Sequence, residues 1–277
     1  MPAKRIIRMM KVNNRNIKLM LLIATVAAVA MGIFRAFLLV NCIEPETGFY
    51  ITETNMDTVF TVLIIAMVVL IGFFGFLARK NPAPEHLDSK STFVVFSSAL
   101  CAFMYISVFL YGIYSIMGSA GNRNYFLVAE VILCIPCCLN HISVCSSEIR
   151  EKNTPHALFA MSEAVFFALR VVETFMDKNS QINVSQRSLE LVMLCSVMVF
   201  FLLESAFLVK REQEEKESLS KYFMSAIATV VFPIVAVMPY LAVSLFWCFD
   251  AEFVIMDVLE CCIMLFAASR LLTLKTE

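Results

Sequence analysis

The sequence predicts an all-α integral membrane bundle of about eight transmembrane helices, with both termini on the cytoplasmic side. Three observations carry that prediction. Of 277 residues, 60% are hydrophobic and only 16% are charged, whereas a soluble domain carries roughly 25% charged residues. Eight apolar stretches are each long enough to cross a hydrocarbon core, which takes about 20 helical residues. The Lys and Arg residues fall almost entirely into alternate connecting segments, the pattern of loops held on the cytoplasmic side.

The stretches are Ile17–Val40, Val59–Ala78, Thr92–Met117, Tyr125–Cys145, Ala157–Met176, Leu189–Val209, Met224–Trp247 and Val254–Leu274. Together they make residues 1–277 a single polytopic domain. The first exceeds the apolar length of a signal peptide and lacks a small-residue cleavage site followed by a polar domain, so it reads as a retained anchor. The fifth and eighth are the least apolar, with three charges each.

Orientation follows from the basic residues. Six lie before or in the start of the first stretch: Lys4, Arg5, Arg8, Lys11, Arg15 and Lys18. Arg79, Lys80 and Lys90 follow the second, Arg150 and Lys152 the fourth, and Lys210, Arg211, Lys216 and Lys221 the sixth; Arg270 and Lys275 close the chain. The other side holds only Arg123, Lys178 and Arg187, and Arg35 and Arg170 lie within stretches. A split of 17 to 3 does not survive adding or removing a span in the middle of the chain.

Other classes of function find little support. With 22 basic against 23 acidic residues, no basic footprint for nucleic acid is present. No Walker A, HExxH or GxSxG motif occurs, and three His do not suffice for a multi-histidine metal site. The sequence therefore nominates no catalytic residue, metal or cofactor, and leans away from an enzyme. Eight of the ten Cys sit in apolar runs, where a thiol behaves as a small hydrophobe. Cys42 and Cys248 fall near the same interface, where a disulfide is conceivable.

Packing devices are visible in three helices. Ala24, Ala28, Gly32 and Ala36 form a small-residue stripe in the first, suited to close approach of another helix. Pro136, Pro233 and Pro239 each remove a backbone donor and are expected to kink their helices.

The functional lead is a set of charges inside the apolar stretches. An ionisable group near mid-bilayer costs at least about 2.5–3.5 kcal/mol, so it faces the bundle interior and a partner. Arg35, Glu130, Arg170, Glu173, Asp257 and Glu260 all fall within roughly 10 Å of the outer boundary at 1.5 Å per residue. Two arginines against four acids form a layer that serves either as a small polar cavity for an ion or polar solute, or as a salt-bridge layer that fixes helix register. A sparser set, His141, Glu163, Glu204 and Arg270, lies toward the cytoplasm. Glu163 and Arg170 are seven residues apart and nearly eclipsed, so the fifth helix could line a polar path between the layers. An echo between halves, with Arg in helices one and five and acids in helices four and eight, suggests a parallel repeat.

The exit of the first helix runs Arg35-Ala-Phe-Leu-Leu-Val-Asn-Cys-Ile-Glu44-Pro45-Glu46-Thr47-Gly48-Phe49-Tyr50. It resembles a pattern of uncharacterised multi-span membrane proteins of Gram-positive bacteria, an intramembrane Arg followed by an acidic-Pro-Glu-x-Gly-aromatic loop. The resemblance covers about 20 residues, has Glu44 where Asp is frequent, and brings no activity with it. It implies a bacterial plasma membrane and a structural unit joining Arg35 to the Gly48 turn; Asn183-Val-Ser185 is then no glycosylation site.

The expected function is a small permease, or a solute- or ion-binding membrane protein, using the outer charged layer. The alternative is a non-catalytic membrane subunit or scaffold whose helix-one stripe docks a partner protein. The expected partners are the lipid bilayer and a membrane protein or second copy, with no nucleic acid.

Overall fold

The computed structural model describes residues 14–42, 55–79, 91–118, 125–146, 155–176, 185–210, 219–247 and 251–274. All of its regular structure is α-helical: α1 (Asn14–Asn41), α2 (Met56–Ala78), α3 (Thr92–Gly118), α4 (Tyr125–Cys145), α5 (Pro155–Met176), α6 (Ser185–Lys210), α7 (Leu219–Trp247) and α8 (Ala251–Thr273). The chain is an all-α membrane bundle. Six helices are long and apolar enough to cross a membrane, the exceptions being α5 and α8. Those two have the length, 22 and 23 residues, and fall short only through the charges they carry.

Helices α3, α4, α5, α6, α7 and α8 form a closed ring in which each packs on the next and α8 returns to α3. Helices α1 and α2 lie outside it, against α7. This makes α7 the hub, touched by α1, α2, α6 and α8. Residues 229–237 of α7 are accordingly buried on every side, as a helix apolar all round must be. The helix runs unbroken through Pro233 and Pro239.

Close approach to α7 is set by glycine. A Cβ on Gly32 of α1 would lie 2.7 Å from the Ile234 carbonyl oxygen, and one on Gly75 of α2 would run into the Met224 side chain. Beside Gly75, the Ser220 hydroxyl of α7 donates to the Gly75 carbonyl at 2.7 Å. Ala28 and Ala24, one turn and two turns before Gly32, are also fully buried. At Gly32 the small-residue stripe faces the chain's own α7. Small residues let backbones meet where lipid offers no hydrophobic drive between helices.

The opposite faces are apolar and open. On α2, Val62, Ile65, Val69, Phe73 and Phe76 recur at three- and four-residue spacing, and Phe76 is 67% exposed. A stripe of this kind suits acyl chains as solvent. The expected repeat between halves is not seen: α1 has α7 as its main neighbour, so a repeat would set α5 against α3, whereas α5 packs between α4 and α6.

Candidate functional site

Polar side chains gather in two layers of the ring. The first lies toward the C-terminal end of α5 and the N-terminal ends of α4, α6 and α8. Arg170 of α5 places Nη1 3.3 Å from Glu173 Oε2, one turn along its own helix, and 3.9 Å from Glu130 Oε1 of α4. Glu190 of α6 and Glu260 of α8 also act on Arg170 electrostatically. Asp257, one turn before Glu260, faces the same two groups, Glu190 and Arg170. Glu130 and Glu260 are buried, while Arg170, Glu173 and Asp257 are half-buried.

Five of the six expected residues are therefore brought together: Glu130, Arg170, Glu173, Asp257 and Glu260. Arg35 is not among the charges acting on Asp257 or Glu260. It is fully buried on α1, with its guanidinium 4.9 Å above the Phe60 ring of α2, a cation–π contact. The Glu44–Tyr50 loop expected to pair with it lies outside the described residues, as does Cys248; Cys42 is a free thiol.

Two members escaped the sequence reading. Glu190 and Arg187 stand at the very start of the sixth apolar stretch, where they look like loop charges. The structure begins α6 at Ser185 and buries Arg187, with Glu190 one turn on and under its electrostatic influence. Their three-residue spacing was the available signal. Among the described residues the layer then holds five carboxyl groups and two guanidinium groups.

The second layer is fully buried and more closely bonded. His141 Nε2 of α4 lies 3.3 Å from Glu163 Oε1 of α5. Glu163 also accepts from Asn140 Nδ2 at 2.6 Å and from the Tyr105 hydroxyl of α3 at 3.5 Å. On the other side of the ring, Arg270 Nη2 of α8 reaches Glu204 Oε1 of α6 at 2.8 Å, and the Tyr222 hydroxyl of α7 donates to Glu204 Oε2 at 2.6 Å. Each acid here meets one basic side chain. Phe266 touches both pairs: the His141 ring meets its edge at 4.9 Å, and the Arg270 guanidinium lies 4.9 Å from its centroid.

Aromatic rings fill the space between the layers. Phe166 and Phe167 sit on α5 between Glu163 and Arg170, and both are fully buried. Phe167 stacks on Phe201 at 6.2 Å, and Phe201 on Phe266 at 6.3 Å. The expected polar path along α5 is therefore interrupted by a dry partition roughly 10 Å deep, seven residues of helix rise.

Among the described residues, no three His, Cys, Asp or Glu side chains are placed to hold a metal ion together. A groove of about 170 Å³ between α3 and α4, bordered by Tyr105, Phe109, Cys134 and Cys138, has an apolar lining and offers no group to orient a polar solute.

Comparison with protein-family models, curated proteins and solved structures finds no match to this chain. The reading of the site therefore rests on its geometry.

Proposed function

We propose that this protein is a small permease-like membrane protein that binds a cation, inorganic or organic, at the Arg170 layer. The observation that carries the reading is the charge imbalance among the described residues: Glu130, Glu173, Glu190, Asp257 and Glu260 lie around Arg170, and Arg187 acts on Glu190. Carboxylates removed from water need counter-charge, and a bound cation supplies what two guanidinium groups do not. Partial exposure of Arg170, Glu173 and Asp257 gives a solute a way in. The His141–Glu163 and Glu204–Arg270 layer, by contrast, reads as internal structure.

The same reading puts all eight helices across a plasma membrane, both termini in the cytoplasm and the Arg170 layer toward the outside. The 17-to-3 distribution of basic residues supports this orientation, and the Arg35–Tyr50 resemblance supports a bacterial membrane. Helices α5 and α8 cross because they close the ring and turn their charges into it.

The test is uptake into proteoliposomes of sodium, potassium, calcium, magnesium and tetramethylammonium, each offered alone. Uptake of one of them, lost in Glu260→Gln, is the expected result. No uptake of any, with Arg170→Ala only lowering thermal stability, makes the layer a structural salt bridge.

A further inference from the structure

We propose that the cation taken by the Arg170 layer is an aliphatic diammonium, held where α6, α7 and α8 meet by Glu190, Asp257 and Glu260. The inference rests on the cation-binding reading above and names the chemical class of its ligand.

The layer divides in two. Glu130 and Glu173 are the acids that Arg170 engages directly, at 3.9 and 3.3 Å. Glu260 is only 3% exposed, yet among the described residues it enters no hydrogen bond and no ion pair. The charges that act on it are those of Asp257, Glu190 and, least, Arg170. Asp257 and Glu190 are half-buried, and they too enter no hydrogen bond or ion pair among the described residues. A buried carboxyl group without a donor is costly to keep. Here one such group, Glu260, is turned toward two more that are open to a ligand.

The spread of these acids decides the kind of cation. A bare metal ion draws its oxygens together; calcium takes roughly six to eight of them within about 2.6 Å. Among the described residues, no three acidic, His or Cys side chains are placed for that. Two ammonium groups on an alkyl chain reach carboxyl groups that one ion cannot touch together. Each –NH₃⁺ brings three N–H donors, and its bonds to carboxylate are charge-assisted.

The alkyl chain between the two ammonium groups needs an apolar wall, and α7 provides one. Tyr240 is half-buried and within electrostatic range of both Asp257 and Glu190, and its helix packs on both α6 and α8. A tyrosine ring combines an apolar body with a face that attracts cations. Because Glu190, Tyr240 and Asp257 are all partly exposed, a ligand reaches Glu260 without crossing the aromatic partition.

The experiment is thermal unfolding of the purified full-length chain in detergent at constant ionic strength, titrated separately with putrescine, n-butylammonium and magnesium. Magnesium matches the charge of putrescine, and n-butylammonium matches its alkyl chain. Putrescine is expected to raise the melting temperature saturably, with a midpoint about tenfold or more below those of the other two, the worth of one further charge-assisted bond. Glu260→Gln should raise the putrescine midpoint by about tenfold or more for the same reason, and Glu190→Gln stands in if Glu260→Gln does not fold. Magnesium or n-butylammonium acting at the same concentration as putrescine or below it overturns the diammonium assignment and leaves the cation site standing. A putrescine midpoint unmoved by whichever variant folds also overturns the assignment. No response to any of the three overturns it together with the cation-binding reading.

Discussion

His141 Nε2 of α4 lies 3.3 Å from Glu163 Oε1 of α5, and neither side chain is exposed at all. The contact joins two helices that are consecutive in sequence, and Asn140 and Tyr105 extend it to four side chains from three helices. Glu163→Leu removes the acceptor from all of them at once. Breaking a buried pair by deleting one partner costs about 3–5 kcal/mol. Glu163→Gln keeps an oxygen for Asn140 or Tyr105 and is expected to cost less than half as much. Thermal unfolding of the purified chain in detergent should rank the two in that order; melting temperatures equal to that of the unsubstituted chain would show the carboxylate to be energetically idle.

Arg270 and Glu204 close the other side of the same layer at 2.8 Å. Arg270→Met alone strands a buried carboxylate and should destabilise by about 3–5 kcal/mol. Replacing both, Arg270→Met with Glu204→Leu, should recover most of that, since an apolar pair fits a buried site without a desolvation penalty. Tyr222→Phe removes one neighbouring hydrogen bond to the carboxylate and should cost about 1.5–3 kcal/mol. A double variant no more stable than Arg270→Met would remove the pair from the account of stability.

The α1–α7 seam depends on having no side chain at position 32. Gly32→Ala sets a methyl 2.7 Å from the Ile234 carbonyl oxygen and should destabilise by about 1–3 kcal/mol, the usual cost of overpacking. Gly72→Ala meets nothing within 4 Å and is the matched control, expected to be neutral or slightly stabilising. Size-exclusion profiles and melting temperatures of the two variants decide the point, and an equal loss in both would contradict the seam.

Orientation has its own test. A reporter that works only in the cytoplasm should be active when fused after residue 146 or 210 and inactive after 118 or 176. Activity at 176 would mean that α5 does not cross, and the closed ring would then need a different relation to the membrane.

Much of this was legible in the sequence, for identifiable reasons. Helix positions follow from apolar length, which the bilayer demands whatever the fold; the fourth stretch, Tyr125–Cys145, coincides with α4. The charges on α5 and α8 stood out because lipid rejects them, and five of the six expected residues do share a layer. Pairing between helices is a different matter. Which face of α1 meets which face of α7 is decided by packing outside the ring, and it is this that sets Arg35 over the Phe60 ring. Ser98, Tyr105 and Tyr222 carry hydroxyls common in any membrane helix, and only three-dimensional placement shows what they bond. Phe166 and Phe167 read as ordinary apolar filling until the rings of α3 and α6 meet them.

The claim that the Arg170 layer takes a cation is tested most directly by melting the purified chain against rising concentrations of each of the five chloride salts named above. The account predicts that at least one cation raises the melting temperature saturably, and that the response disappears in Glu130→Gln/Glu260→Gln while the variant still melts cooperatively. No saturable response to any of them, or the same response in the double variant, would contradict it.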